Sequence, residues 1–152
     1  MIEPGSPAPD FALADQDGNE VSQAGLRGRT SVLVFYPLAF SPVCTDQLSA
    51  YQEALPELEA LGVDLYGVSV DSPFAQRAFR ERLGLTFPLL ADFEPKGALA
   101  RRLGVYDEGR GVARRALVLI DADGIVRWAH LSPSPLEVPS ANLVLEAVGA
   151  AA

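Results

Sequence analysis

A single cysteine, Cys44, is the residue of this chain best suited to nucleophilic or redox chemistry. It ends the segment PLAFSPVC (residues 37–44), in which two prolines and a serine crowd the thiol, and the stretch TDQLSAYQEAL follows it. Only the thiolate form of cysteine is strongly nucleophilic, and a free thiol is only about 3% ionised at neutral pH. A chemical role for Cys44 therefore requires neighbours that stabilise a negative charge.

The residues after Cys44 have the spacing of an amphipathic helix. Apolar side chains recur at Leu48, Tyr51, Leu55 and Leu58, in steps of three and four residues that mark one helix face. Cys44 begins this face, so its thiol is predicted to lie in the first turn, where unpaired N–H groups and the helix dipole favour an anion. A nearby arginine would add about 4 kcal/mol of attraction at about 4 Å and an effective dielectric of about 20, before desolvation. These effects together make a mainly ionised cysteine physically reasonable.

Strands and helices alternate around this segment. Strands are predicted in the apolar runs SVLVFYP, which Pro37 closes, VDLYGVSV (63–70) and TFPLLAD, and in the segments ARRALVLID and GIVRWAH on either side of a DADG hairpin turn. Helices are predicted after Cys44, from the helix start Asp71-Ser72-Pro73 to Gly84, in PKGALARRLGV and in SANLVLEAVGA. Pro56 is predicted to kink or restart the helix that follows Cys44, because an interior proline loses a hydrogen bond. The proline-rich loop LSPSPLEVPS is interpreted as a rigid turn.

This order of elements predicts an α/β fold. After a short N-terminal β-hairpin around DQDGNEV, the order is β, α, β, α, β, α, β, β, α, which indicates a three-layer α/β/α sandwich with parallel crossovers and a central mixed sheet. The order fits a thioredoxin-like core, and residues 1–152 are predicted to form a single domain. The order of the strands within the sheet cannot be derived from periodicity.

Composition excludes several classes of function. The net charge of −8 argues against a nucleic-acid partner, which would require clustered lysines and arginines. No apolar stretch approaches the roughly 20 residues that a membrane span needs. The N-terminus MIEPGSPAPDF lacks the features of a secretion signal, so we expect a cytoplasmic protein. A single cysteine allows no internal disulfide, and one cysteine with one histidine, His130, argues against a classical zinc cage.

The segment Pro37-Leu38-Ala39-Phe40-Ser41-Pro42-Val43-Cys44 resembles the peroxiredoxin signature: proline, three residues, threonine or serine, two residues, cysteine. The resemblance continues in the family's order through PAPDFAL, SVLVFYPLAF, VDLYGVSVDSP, FPLLAD and RALVLIDADGIV, and it covers residues 4 to about 130. It implies a thioredoxin-like fold and a thiol peroxidase that reduces hydrogen peroxide and alkyl hydroperoxides without a metal or an organic cofactor.

The resemblance also implies roles for individual residues. Cys44 would attack the peroxide and become a sulfenic acid, Ser41 would hydrogen-bond the peroxide, and Arg115 would hold the thiolate and stabilise charge on the departing oxygen. Three further residues would shape the surroundings: Pro37 would shield the thiolate, the main chain at Val43 would help bind the peroxide, and Phe40 would line its entrance. Gln47, one turn after the cysteine, would orient the arginine.

Arg114 competes with Arg115 for the site. Neighbouring strand residues point to opposite faces of a sheet, so only one of the two arginines can face Cys44. The family pattern selects Arg115.

A resolving cysteine is absent from the sequence. Some relatives resembling the bacterioferritin comigratory protein have one five residues after the first, where this chain has Ser49. The sequence thus resembles a one-cysteine peroxiredoxin, most closely the alkyl hydroperoxide reductase E group. The sulfenic acid would then be reduced by an external thiol, which could be a low-molecular-weight thiol, a thioredoxin or a glutaredoxin-like protein. The resemblance further implies a homodimer.

Two other classes of function remain open at this level. A cysteine–histidine hydrolase or transferase would require His130 to reach Cys44. A redox-sensing or chaperone module on the same fold would respond to oxidation of Cys44 by changing its oligomeric state.

Overall fold

The computed structural model describes residues 1–151 and forms one large sheet with helices on both faces. The helices are α1 (Gln23–Leu26), α2 (Pro42–Ala60), α3 (Pro73–Leu83), α4 (Ala98–Leu103) and α5 (Ala141–Ala151). The strands are β1 (Ala12–Ala14), β2 (Glu20–Ser22), β3 (Thr30–Phe35), β4 (Val63–Ser69), β5 (Leu89–Ala91), β6 (Tyr106–Asp107), β7 (Val112–Ala113), β8 (Ala116–Ile120) and β9 (Val126–Leu131).

The main sheet has seven strands in the order β2-β1-β5-β4-β3-β8-β9. Strands β3, β4 and β5 are parallel, whereas β8 lies antiparallel to β3 and β9 antiparallel to β8. The N-terminal hairpin β1–β2 extends the sheet beyond β5. The carboxyl ends of β3, β4 and β5 therefore meet the start of β8 at one edge of the sheet. We call this edge, formed by residues 36–41, 70–74, 92–94 and 114–115, the Cys44 edge.

Each face of the sheet is covered by its own apolar core. Residues of β3 alternate between the two: Val32 and Val34 pack in the core beneath α2, α3 and α5, while Leu33 and Phe35 pack in the core beneath α4. Period-two alternation of this kind is what a strand buried on both faces requires. The predicted three-layer α/β/α sandwich with a mixed sheet is confirmed.

Three local features differ from the sequence-based expectations. The one-turn helix α1 and the separate two-stranded sheet β6–β7 were not predicted, because both are too short to produce a periodic pattern. Helix α2 continues without restarting through Pro56. Pro56 is exposed, and Leu55 and Leu58 on either side of it are buried in one core, so their packing holds the helix together across the missing hydrogen bond.

Candidate active site

The first turn of α2 carries the candidate nucleophile. Ser41 is the N-cap residue, Pro42 follows it as the first helical residue, and Cys44 is the third, as the apolar spacing predicts. The Ser41 side chain makes no capping hydrogen bond, which leaves its hydroxyl available to a ligand. The N–H groups of Val43 and Cys44 belong to the first turn, where no intrahelical acceptor exists. Hydrogen-bond donors therefore surround the thiol at the helix start.

Arg115 lies directly against Cys44. Its Nη2 is 3.4 Å from the Cys44 Sγ, its Nη1 donates to Oε1 of Gln47, and its Nε donates to the carbonyl of Pro135 at 2.9 Å. Three contacts in three directions fix the plane of the guanidinium. The structure thus brings together the cysteine, the arginine and the glutamine that the sequence assigned to one site.

The Arg115 guanidinium is buried together with the Cys44 sulfur. Cys44 is fully buried and Arg115 is only 2% exposed. Among residues 1–151, no carboxylate lies within 4 Å of the Arg115 guanidinium. A buried charge without a counterion is strongly disfavoured. The Cys44 sulfur lies 3.4 Å from Nη2, where a negative charge on it would compensate this cation.

Tyr51 and the proline-rich loop complete the support of the site, and neither was assigned to it from the sequence. The amide of Gln47 donates to the Tyr51 hydroxyl at 3.3 Å, and that hydroxyl donates to the carbonyl of Pro139 at 2.6 Å. The loop therefore supplies two carbonyls, from Pro135 and Pro139, that hold the arginine and the tyrosine. A proline-rich sequence indicates rigidity, but it gives no sign of which carbonyls turn inward.

We expect the buried Tyr51 hydroxyl to lower the free energy of unfolding at alkaline pH. Burial raises the pKa of Tyr51 to about 12, while its hydrogen bond with Gln47 and the charge of Arg115 act in the opposite direction. Because the folded state keeps its proton above the ordinary tyrosine pKa of about 10, stability that is present below pH 10 is lost progressively as the pH rises towards 12.

The measurement is the free energy of unfolding of wild type and Tyr51→Phe in denaturant at about pH 9 and about pH 11. Phenylalanine cannot titrate, so the wild type should lose about 1 kcal/mol relative to the variant between these two values. A difference between the two proteins that does not change with pH would contradict this account.

The loop before α2 is held by Asp71, which follows β4. The Asp71 carboxylate accepts a hydrogen bond from the main-chain N–H of Ala39 at 2.8 Å and another from the Ser69 hydroxyl. Ser69 also accepts from the Gln76 amide, whose oxygen accepts from the Tyr36 hydroxyl. This chain of contacts connects the loop to the buried end of β3 and to α3. The sequence analysis did not identify it.

Phe40 adopts an unusual backbone conformation in this loop. Its φ of 69° is the only positive value at a non-glycine residue in residues 1–151. Such a conformation costs free energy and persists where the surrounding contacts enforce it. The half-exposed Phe40 ring packs on the buried Phe79 with 5.2 Å between ring centroids, so it contacts α3 rather than the arginine.

The remaining candidates have distinct positions. Pro37 lines a cavity together with Arg115, which is consistent with a shielding role. Arg114 is exposed and Arg115 is buried, but both lie just before β8 rather than on it, so the predicted alternation along a strand is not what separates them. His130 lies on β9 with its ring stacked on Trp128, and it makes no hydrogen bond with Cys44. The structure therefore gives no support to a cysteine–histidine pair.

Within residues 1–151, no group of three or more histidine, cysteine, aspartate or glutamate side chains is arranged to hold a metal ion. In the same part of the chain, none of the helices combines the length and the apolar character needed to cross a membrane.

A thioredoxin-like sandwich that buries one cysteine at a helix start against an arginine defines the class of thiol-dependent peroxidases known as peroxiredoxins. Comparison with known proteins agrees. The sequence is 38% identical over 151 residues to alkyl hydroperoxide reductase E of Mycobacterium tuberculosis, covering 99% of this chain and 98% of that protein. It is 37% identical over 142 residues to peroxiredoxin-2 of Rattus norvegicus, covering 87% of this chain and 71% of that protein.

Solved structures show the same likeness. The crystal structure of AhpC from Enterococcus faecalis superimposes with a TM-score of 0.91 at 30% identity, covering 99% of this chain and 92% of that one. Residues 4–129 match the AhpC/TSA family. The chain belongs to the AhpC/TSA family of peroxiredoxins and is a thiol peroxidase, and its single cysteine is consistent with a one-cysteine mechanism.

Proposed function

We propose that Cys44 is the peroxidatic cysteine of an enzyme that reduces hydrogen peroxide and organic hydroperoxides. The observation that carries this assignment is the buried guanidinium of Arg115, 3.4 Å from the Cys44 sulfur and without a carboxylate partner in residues 1–151. The thiolate attacks the terminal peroxide oxygen, the O–O bond breaks, and sulfur is oxidised by two electrons to a sulfenic acid. The departing alkoxide or hydroxide takes up a proton and leaves as an alcohol or water.

Each neighbour has a part in this step. The Ser41 hydroxyl and the N–H groups of Val43 and Cys44 hydrogen-bond the bound peroxide. Arg115 stabilises the thiolate and then the charge on the departing oxygen, since a preorganised cation is worth most in a water-poor site. Pro37 limits access of water.

Gln47 orients the guanidinium through its Oε1. Phe40, in the loop before α2, lines the path by which the substrate approaches Cys44. Both assignments rest on contacts of these side chains, with Arg115 and with Phe79 respectively.

The sulfenic acid is recycled by an external thiol in this proposal. One thiol condenses with the sulfenic acid to form a mixed disulfide and water, and a second thiol releases Cys44 as the free thiol. A low-molecular-weight thiol, a thioredoxin or a glutaredoxin-like protein could serve, and the cytoplasm is the compartment we propose because its thiols are kept reduced. Residues 1–152 would act as one catalytic domain without a metal or an organic cofactor.

We also propose that the protein works as a homodimer formed through the Cys44 edge. Four large apolar side chains are exposed there: Leu38, Phe40, Phe93 and Phe74, the last of which is 85% exposed. Exposed apolar side chains that cluster on one surface commonly mark an interface between proteins. Sedimentation over a range of concentrations measures the association, and a monomer at every concentration would contradict this part of the proposal.

The central experiment treats the reduced protein with one equivalent of hydrogen peroxide in the absence of any thiol. Dimedone, which reacts with sulfenic acids, is expected to label Cys44, and each chain should consume about one peroxide molecule. Addition of excess dithiothreitol should convert this single turnover into continuous consumption. If peroxide disappears no faster than in buffer and no label is found on the Cys44 peptide, the proposed function is wrong.

Mass spectrometry of the oxidised protein with candidate thiols then tests the recycling route. A mixed disulfide on Cys44 is expected with at least one class of thiol. Reduction of the sulfenic acid without any such adduct would exclude the route through an external thiol.

A further inference from the structure

A chain of hydrogen bonds runs from the proline-rich loop through the core to Arg115. The carbonyl of Pro139 accepts from the Tyr51 hydroxyl at 2.6 Å, and the oxygen of that hydroxyl accepts from Nε2 of Gln47 at 3.3 Å. The other end of the Gln47 amide, its Oε1, accepts from Nη1 of Arg115. Gln47 and Tyr51 lie about one turn apart on α2, and neither is more than 1% exposed. The middle of the chain is therefore shielded from solvent.

The two ends of this chain fix the direction of every hydrogen bond in it. A main-chain carbonyl only accepts, so Tyr51 donates its single hydroxyl proton to Pro139 and can only accept from Gln47. A guanidinium only donates, so Gln47 has to turn its carbonyl oxygen towards Arg115. An amide meets both demands, because it donates through its nitrogen and accepts through its oxygen. The Tyr51 oxygen thus takes up the amide hydrogen that Gln47 directs away from the arginine.

The contact between Gln47 and Arg115 depends on this acceptor. The Tyr51 oxygen is the one hydrogen-bond partner of the Gln47 amide nitrogen within residues 1–151. Without it, the nitrogen would be a buried unpaired donor, which is strongly disfavoured, and the side chain would rotate towards another acceptor. Such a rotation would withdraw Oε1 from Arg115, whose guanidinium would keep only its contacts with Pro135 and Cys44.

We propose that Tyr51 is a positioning residue of the peroxidase reaction: it holds the Gln47 amide with its oxygen towards Arg115, and thereby holds the guanidinium at the Cys44 sulfur. The inference rests on the proposed function, because it concerns the rate at which Cys44 reacts with peroxide. A carboxylate at position 47 would not need the hydroxyl. Both of its oxygens accept and it has no hydrogen to place, so it would face Arg115 correctly whichever residue stood at position 51.

The test is a double-mutant cycle of Tyr51→Phe and Gln47→Glu. The readout is the second-order rate constant of single-turnover oxidation of Cys44 by hydrogen peroxide at about pH 7, with circular dichroism to establish that all four proteins are folded. With glutamine at position 47, Tyr51→Phe should slow oxidation about three- to tenfold, as expected for one buried hydrogen bond. In the Gln47→Glu background, Tyr51→Phe should cause no further slowing. Both phenylalanine variants lose the hydrogen bond to Pro139, so an effect through the loop or through stability cancels between the two ratios.

Tyr36→Phe is the matched control. Tyr36 is also a fully buried tyrosine, but its hydroxyl donates to Gln76 and lies outside the chain to Arg115. Its effect on the rate constant, whatever the size, should be the same in both backgrounds. An equal slowing by Tyr51→Phe in the two backgrounds, or none in either, would overturn the positioning role while leaving the peroxidase intact. If hydrogen peroxide does not oxidise Cys44 of the wild type, the proposed function fails and the positioning role fails with it.

Discussion

Replacing Arg115 by glutamine is expected to slow the oxidation of Cys44 by hydrogen peroxide about a hundred- to a thousandfold. The substitution removes the guanidinium that contacts the sulfur and is buried with it. A preorganised charge at the reacting atoms is worth this much in enzymes where a single such group has been removed. The same loss should appear in a reaction without peroxide: alkylation of Cys44 by iodoacetamide at neutral pH should also slow, because less of the thiol is ionised.

The measurement is the second-order rate constant of single-turnover oxidation. Arg27→Gln is the control of equal charge, because Arg27 is exposed and precedes β3, at the end of the sheet opposite to the Cys44 edge. Arg115→Gln leaves the carbonyl of Pro135 without its donor, so circular dichroism and thermal unfolding must accompany the rates. Arg115→Lys keeps the charge but loses the planar fork, and it should fall between wild type and the glutamine variant. A folded glutamine variant with the wild-type rate constant would show that the cation does not assist the sulfur, and a lysine variant with that rate constant would show that the charge suffices without the planar fork.

The position of Cys44 was predictable because local sequence determines it. The steps of three and four from Cys44 to Leu58 place the thiol in the first turn of α2, and the apolar run before Pro37 fixes the strand that leads there. Both signals depend on periods of 3.6 and 2 residues, which short-range geometry imposes. For this reason the fold class, most of the elements and the candidate nucleophile follow from the chain itself.

The choice of Arg115 over Arg114 shows where local reasoning ends. The structure places both arginines just before β8 rather than on it, so alternation along a strand does not determine which of them faces α2. That depends on the order of the strands, and β8 pairs with β3 across more than eighty residues of sequence. No periodic pattern encodes such a pairing, so the selection came from the family resemblance.

The main-chain contacts of the site could not be predicted from the sequence. The carbonyls of Pro135 and Pro139 and the N–H of Ala39 are contacts of the backbone, which every residue possesses. Their direction is set by how the loops fold over the sheet, and a side-chain pattern carries little information about it. The sequence indicated Asp71 only as part of a helix start. In the structure its carboxylate accepts a hydrogen bond from Ala39, in the loop before α2.

Replacing Asp71 by alanine is expected to slow Cys44 oxidation about tenfold to a hundredfold, although Asp71 makes no hydrogen bond with the cysteine or the arginine. The substitution frees the Ala39 N–H, so the loop that carries Phe40 at a φ of 69° loses the acceptor that holds it. Relaxation of that backbone would displace Ser41 and the start of α2, and a displacement near 1 Å is enough for such an effect.

Asp64→Ala provides the comparison that separates positioning from charge and stability. Asp64 lies on β4, near the end of the sheet opposite to the Cys44 edge, and it forms a partly exposed ion pair with Arg29 at 2.6 Å. Removing it changes the net charge equally and should leave the rate constant unchanged, since exposed pairs contribute little. Asp71→Asn, which keeps an oxygen acceptor, should recover much of the lost rate. If Asp71→Ala is folded and oxidises as fast as Asp64→Ala, the loop does not depend on this carboxylate, and the conformation of Phe40 must be enforced by its packing on Phe79 alone.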